Sequence, residues 1–400
     1  MFEWDSFSNQ PYPIRDKKAK KEIYKQTIFD SLKMLFVNIL LFPIILIRFL
    51  VALWEKKETN SKNFFAMGMS LDCDLNLIKE LGVKDILVRL PLSDIENLSC
   101  YKILLDSLGE YNVLVNILQD RRHIEDLELA KESFENIFKT LDAKEYQIGN
   151  AINRKKWAIF TMDEYMSFYK VAQEVRDARF KDIKLIGSSV IDFEYHFSVR
   201  TLFNFYKIHY DMFSTLLYVD RRGSPENLQM GLDLIKKIKL LYAMVSLSPK
   251  SSNKIIITET NWPISNTAPY APTSEKECVS LEDYALYMVQ YYLLALSTGM
   301  VERVYWHQLI APGYGLVDNR EGLKKYPAFK AYKTMTRLLL DAKLVKFDFS
   351  DKIKYMKFKK DKTIEVFWSK GEVIKKDKKG KLISLYGQDY DDGNFMYVVS

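Results

Sequence analysis

The chain has 400 residues, 48% apolar and 14% aromatic, with a formal net charge of +7. So much apolar material excludes an intrinsically disordered chain, and three cysteines (Cys73, Cys100, Cys278) without CxxC or His-rich spacing exclude a disulfide framework and a structural zinc site. The net charge comes largely from lysines near the two ends, such as Lys17, Lys18, Lys20, Lys21 and Lys25 and then Lys375, Lys376, Lys378 and Lys379; the lysines are otherwise dispersed and no strand interleaves Arg with aromatic residues, so no nucleic-acid partner is expected.

Residues 1–27 read as a basic leader, and residues 28–55 are the most apolar region, without a charge from Met34 to Ile47. A spanning helix needs about 20 apolar residues. Reaching that length means continuing to Trp54, which takes in Pro43 and Arg48, whose guanidinium would have to snorkel. Three readings stay open: a short spanning anchor, an interfacial or re-entrant segment, and a helix packed on the body. Membrane lipid is the expected partner of residues 28–54, given a basic flank on one side and Trp54 on the other. A cleavable signal is not expected, because the run starts too deep and no small-x-small site follows. If the segment spans, the lysines before it outnumber Lys56, Lys57 and Lys62 after it, which leaves the N-terminus cytoplasmic and the body outside. An interfacial segment keeps everything on the cytoplasmic side.

From Phe64 a short apolar run followed by a helical pattern repeats eight times. The expected strands are Phe64 to Leu71 (ending in Asp72), Val83 to Leu90, Val113 to Leu118, Tyr146 to Ile148, Ile183 to Ile186 continuing towards Asp192, Phe213 to Val219, Lys254 to Trp262, and Val304 to Leu309. Thr161 with Glu164 predicts a capping box, Ser224-Pro225 an N-cap with first-turn proline, and Ser280 with Asp283 another cap. Strands apolar on both faces belong to a buried parallel sheet, and eight such units predict a (β/α)8 barrel over 63–341. An open doubly wound sheet would show a Gly-rich first turn, and none follows Leu71. From 342 to 400 short alternating strands punctuated by Gly371, Gly380, Gly387 and Gly393 predict a small β-sheet packed on the barrel.

Lys254-Ile-Ile-Ile-Thr-Glu-Thr-Asn-Trp262 carries a lone carboxylate, Glu259, where a barrel strand leaves the core, the end from which barrel enzymes project their catalytic groups. A buried carboxylate is costly unless it is paired or faces a cleft. This stretch and Tyr146-Gln-Ile-Gly-Asn-Ala-Ile-Asn153 resemble the seventh- and fourth-strand signatures of the clan A glycoside hydrolases, retaining glycosidases on (β/α)8 barrels. The likeness covers roughly Phe64 to Leu340. It implies Glu259 as nucleophile, Asn150 as the amide holding the sugar 2-hydroxyl, Arg89 as the cation keeping the nucleophile ionised, and Tyr218 as its hydrogen-bond donor. It also implies Trp306 as the flat platform under the sugar.

One position departs from the pattern. Where the clan has its acid/base Glu, this chain has Ala151. Retaining hydrolysis uses two carboxyl groups about 5 Å apart, and losing general acid catalysis typically costs roughly 10²–10⁴-fold. Three readings follow. A substitute acid could come from the same face, Glu194 and Asp192 first, His307 and Asp220 behind them. The leaving group could depart unprotonated, as in a glycosyl phosphate or lipid-linked phosphosugar. Or the cleft could bind sugar without turnover. The anchor and the sugar-type cleft together suggest a glycan or glycolipid of a bacterial envelope, a polysaccharide or lipopolysaccharide. No cofactor is expected, since a P-loop, a dinucleotide fingerprint and a Ser nucleophile elbow are missing. The four histidines, His123, His196, His209 and His307, fall at unrelated spacings, so no metal is expected either.

Overall fold

A computed structural model describes residues 4–59, 61–71, 74–219 and 223–400; Asp72, Cys73 and Asp220 lie outside the described residues. Eight parallel strands close a barrel: Phe65–Met69, Asp85–Pro91, Asn112–Leu118, Glu145–Ile148, Lys184–Ile191, Met212–Leu216, Ile255–Thr260 and Arg303–Trp306. The eighth pairs with the first through Val304 and Phe65. These strands are apolar on both faces because both faces are covered. One side chain set, among them Leu87, Leu114, Ile186, Ile256 and Tyr305, packs inside the barrel, and the alternate set packs against the helices. At the N-terminal end of the strands Arg303 reaches Asp85 at 3.1 Å and Glu145 at 2.6 Å, pairing the charges that sit under the core.

A helix follows every strand, and the local signals explain where most begin. Thr161 and Glu164 form the reciprocal capping box of Met162–Arg179, and Ser280 Oγ accepts from Asp283 N to open Leu281–Ser297. The helix after the sixth strand begins later than Ser224-Pro225 predicts. It spans Leu234–Leu247 with Asp233 as its cap, because Gln229 and Leu232 bond each other's backbone and close a turn first, with Gly231 in the left-handed region.

Beyond the barrel lies a five-stranded antiparallel sheet in the order Lys343–Asp348, Ile353–Lys359, Thr363–Ser369, Phe395–Val399, Lys381–Ser384. Trp368 is buried and donates to Glu226 Oε1 at 2.7 Å, tying this sheet to the loop after the sixth strand.

At the other end of the chain the basic leader and the apolar run form one helix, Lys17–Trp54, capped by Asp16 and continuous through Pro43. It starts ahead of residue 28, where the apolar run begins, and lies along the helices Tyr195–Leu202 and Leu234–Leu247 on the barrel flank. Before it, Trp4–Asp5 pairs with Gln10–Pro11 in a two-stranded ribbon, with Asn9 in the left-handed region that its turn requires.

Candidate active site

The seventh strand ends in an irregularity that aims Glu259. Val304 pairs with Ile257 and Trp306 with Thr260, so the seventh strand spends one residue more than the eighth over this stretch. Such a bulge turns a side chain to the other face. Strict alternation from Ile257, which packs outward on the helices, would send Glu259 outward too; instead it lines a cavity at the C-terminal end of the barrel. That cavity measures about 150 Å³ and is also lined by Arg89, Tyr218, Asp192 and His307.

Glu259 is 9% exposed, and its Oε1 accepts a 2.6 Å hydrogen bond from the Tyr218 hydroxyl. Burial works against its charge. A protonated His307, Arg89 and the hydrogen bonding of Tyr218 and Asn150 work for it, and the balance holds the carboxyl below its ordinary value. His307 is itself driven down to about 4 by burial, so near neutrality the imidazole is uncharged and Arg89 is the permanent cation beside Glu259. Arg89 Nη1 lies 3.4 Å from His307 Nε2, and its guanidinium sits over Trp157 at 5.4 Å. Among the described residues its buried Nε and Nη2 have no hydrogen-bond partner.

Asn150 is fixed by an amide chain in which Gln147 Nε2 donates to Asn116 Oδ1 and Asn116 Nδ2 donates to Asn150 Oδ1, both at 3.0 Å. With its oxygen occupied, Asn150 turns its buried Nδ2 towards the Glu259 carboxylate, and this is the donor through which it favours the charge there.

Ala151 does not reach this cavity. It is fully buried, in the left-handed region, and packed with Leu118, Trp157, Leu216 and Tyr218. Asp192 lines the cavity and Glu194 stands behind it. Arg154 bridges the two, and Asn153 Nδ2 takes the second Glu194 oxygen at 2.7 Å. Both oxygens of Glu194 therefore point at donors of its own chain.

Trp306 stands elsewhere than the sequence suggests. It is fully buried in the helix layer, stacked on Trp262 at 6.0 Å, with its Nε1 donating to Tyr284 at 2.7 Å. Its neighbour Tyr305 faces the barrel interior, so alternation sends Trp306 outward and leaves it no ring face for a sugar. His307 then turns back to the cavity, stacked on Tyr314 at 5.4 Å.

The roof of the cavity comes from the N-terminal ribbon. Ser8, Asn9 and Gln10 line it; Lys156 Nζ donates to Gln10 Oε1 at 2.7 Å, Tyr314 donates to the Ser8 carbonyl at 3.3 Å, and Trp4 meets Trp157 edge-on at 5.6 Å. A wider hollow of about 620 Å³ opens at the opposite end of the barrel, around the paired Arg303 and Asp85. That end of a barrel serves stability.

No family model and no curated protein matches this sequence. Solved structures do resemble it. A family 39 glycoside hydrolase from Bacteroides cellulosilyticus WH2 superposes with a TM-score of 0.60 at 14% identity, over 84% of this chain and 80% of that one. A glucosidase from Croceicoccus marinus gives 0.57 at 12% identity over 84% and 82%. A GH30 endoxylanase from Clostridium papyrosolvens C71 gives 0.56 at 9% over 86% and 98%. The fold is that of the clan A glycoside hydrolases.

Within this (β/α)8 barrel, the structure brings Glu259, Arg89, Tyr218, His307 and Asp192 to one cavity, sets Asn150 beside it, and keeps Glu194 and Trp306 out of its lining. Sequence reasoning missed Trp157, Arg154, Tyr314 and the ribbon. Trp157 and Arg154 follow the fourth-strand motif within a few residues, a signal that could have found them; nothing local marks Ser8 to Gln10.

Proposed function

We propose that this chain is a carbohydrate-active protein of a membrane surface, in which Glu259 forms a glycosyl bond with a sugar whose leaving group departs without a proton. The observation that carries this reading is a charged Glu259 on the cavity wall opposite an acid/base position sealed beneath Trp157. In the first step a Glu259 oxygen bonds to the anomeric carbon while the bond to a phosphate oxygen breaks, its electron pair leaving with the phosphate. No general acid is needed, and the unpartnered Nε and Nη2 of Arg89 supply donors for that charge. Water or an acceptor hydroxyl then attacks the same carbon from the opposite face, loses its proton to solvent and frees Glu259. Two inversions give net retention.

The substrate class proposed is a glycan or glycolipid of the bacterial envelope, with the helix Lys17–Trp54 attaching the protein to the bilayer. A substitute-acid route through Glu194 is less well supported, since Arg154 and Asn153 occupy both of its oxygens. Sugar binding without turnover is the second reading, favoured by the ribbon that narrows the cavity.

Incubating the detergent-solubilised protein with 2-deoxy-2-fluoro glycosyl fluorides and mapping the adduct by mass spectrometry tests the proposal. Label on Glu259 is the expected outcome. No adduct across a broad sugar panel, with calorimetric sugar binding that survives Glu259→Gln, would leave the binding protein. Glu194→Gln should leave turnover of a glycosyl phosphate nearly intact; its abolition would restore the substitute acid.

A further inference from the structure

The helix Lys17–Trp54 wears its polarity inside out. Positions that face the barrel recur at helical spacing, Ile23, Thr27, Asp30, Met34, Val37, Leu41, Ile45, Arg48 and Ala52, and polar residues on or beside this face are its attachment points. Asp30 Oδ2 accepts from Met162 N at 2.8 Å, Asn38 Nδ2 donates to the His196 carbonyl at 3.0 Å, and Arg48 Nε donates to Ser246 Oγ at 3.0 Å. On the outward side every exposed residue from Leu35 to Trp54 is apolar, including Phe36, Ile39, Phe42, Ile47 and Trp54. A strip of 20 residues at 1.5 Å per residue is about 30 Å long, far more than scattered surface apolar residues amount to.

What covers this strip is identified by its chemistry. A protein partner would call for about one hydrogen bond per 100–200 Å² of contact, and the strip offers a single side-chain donor, the Trp54 indole at its end, and no acceptor. Lipid tails ask for none. At the N-terminal end of the helix Lys17, Lys18, Lys20, Lys21 and Lys25 are all exposed, a basic cluster suited to anionic headgroups.

Orientation follows from what lies along the inner side. Contacts run from Thr27, which accepts from Lys155, to Leu53, whose carbonyl accepts from Lys239 at 2.8 Å. A helix crossing the bilayer here would carry its neighbours Tyr195–Leu202 and Leu234–Leu247, with Lys236 and Lys239, into the hydrocarbon. We propose that the outward face of this helix lies in the plane of one anionic lipid leaflet, both of its ends on the same side of the bilayer and the barrel resting on its flank. Lys155 and Met162 follow the fourth strand at the cavity end of the barrel, whereas Ser246 lies near its other end. The helix therefore runs along the barrel axis, and the Glu259 cavity opens sideways across the leaflet. That placement suits a sugar carried on a lipid headgroup, a consequence that rests on the sugar reading given above.

The test uses the full chain with its cysteines replaced and single cysteines placed at Arg15→Cys and Glu58→Cys, labelled in spheroplasts and in lysed cells with a membrane-impermeant maleimide. Both sites should be labelled, or both protected, in intact spheroplasts. Opposite behaviour of the two sites overturns the in-plane placement. In parallel, Phe36→Ser, Ile39→Ser, Phe42→Ser and Ile47→Ser together should leave the thermal midpoint in detergent unchanged and lower flotation with phosphatidylcholine–phosphatidylglycerol vesicles by roughly tenfold or more. Unchanged flotation overturns lipid docking, and unchanged flotation with loss of a solution dimer assigns the strip to a second copy of the chain. Glu259 labelling in detergent is indifferent to all of these outcomes, so failure of the sugar reading and failure of the membrane placement register separately.

Discussion

Mild acid should destabilise this protein through His307. The imidazole is buried against Tyr314 with Arg89 beside it, and burial first, then Arg89, outweigh the pull of Glu259 and drive it from 6.5 down to about 4. Between those values the unfolded chain holds a proton that the folded chain refuses. Stability contributed by the neutral ring is therefore complete above 6.5 and is lost as pH falls towards 4. At 1.36 kcal/mol for each tenfold change in proton activity, this window amounts to about 3 kcal/mol, a sizeable share of a typical folding free energy. The assay is denaturant unfolding in detergent at neutral pH and at the acid end of the window, for the wild type and His307→Asn. The variant starts less stable, having lost the ring stack on Tyr314, but it lacks the titrating group. Wild type should lose about 3 kcal/mol more than the variant on acidification. Parallel losses in the two proteins would refute the reasoning, because they would place the acid sensitivity elsewhere.

Three further expectations concern single side chains. Tyr218→Phe removes the 2.6 Å bond to Glu259 and should raise its carboxyl, moving the acid limb of fluorosugar labelling upward by about one pH unit or more; an unmoved limb would show that the bond does not hold the charge. Ala151→Glu should cost about 2–4 kcal/mol in denaturant unfolding and restore no hydrolysis of aryl glycosides, because the new carboxylate would enter the apolar cluster under Trp157; hydrolysis would mean that the position is not sealed. Arg303→Ala should destabilise by about 3–5 kcal/mol, since Asp85 would be left buried without its cation and its Oδ2 already lacks a partner among the described residues, while half-buried Glu145 keeps Lys184 at 3.5 Å. A loss below 1 kcal/mol on the same measurement would show that water already serves these carboxylates.

The barrel was legible because its strands are short, apolar on both faces and separated by capped helices, a pattern that few architectures share. Of the C-terminal strands, Lys343–Asp348 is the faintest in the sequence, because its residues are mostly exposed and its alternation carries little apolar contrast. Of the site, the residues on or just after strand ends could be placed from the sequence, but their direction could not. Trp306 turns outward by strand alternation, whereas Glu259 turns inward only because of a bulge visible in the pairing register and in no residue type. Glu194 was a reasonable acid until Arg154, far along the chain, closed on it. The polarity of Lys17–Trp54 was hidden because apolar side chains occupy both of its sides, and only the few polar ones show which side meets protein.

The ribbon at Trp4 to Pro11 carries a practical consequence. Because Ser8 to Gln10 form part of the cavity wall, a purification tag fused ahead of Met1 would be tethered beside the mouth of the cleft, where it could block entry or pry the ribbon loose. Ser400 is the better attachment point: its backbone pairs with Thr363 at the edge of the C-terminal sheet, in a part of the chain that contributes nothing to the cavity lining. Assays on N-terminally tagged protein would report the tag as much as the cleft.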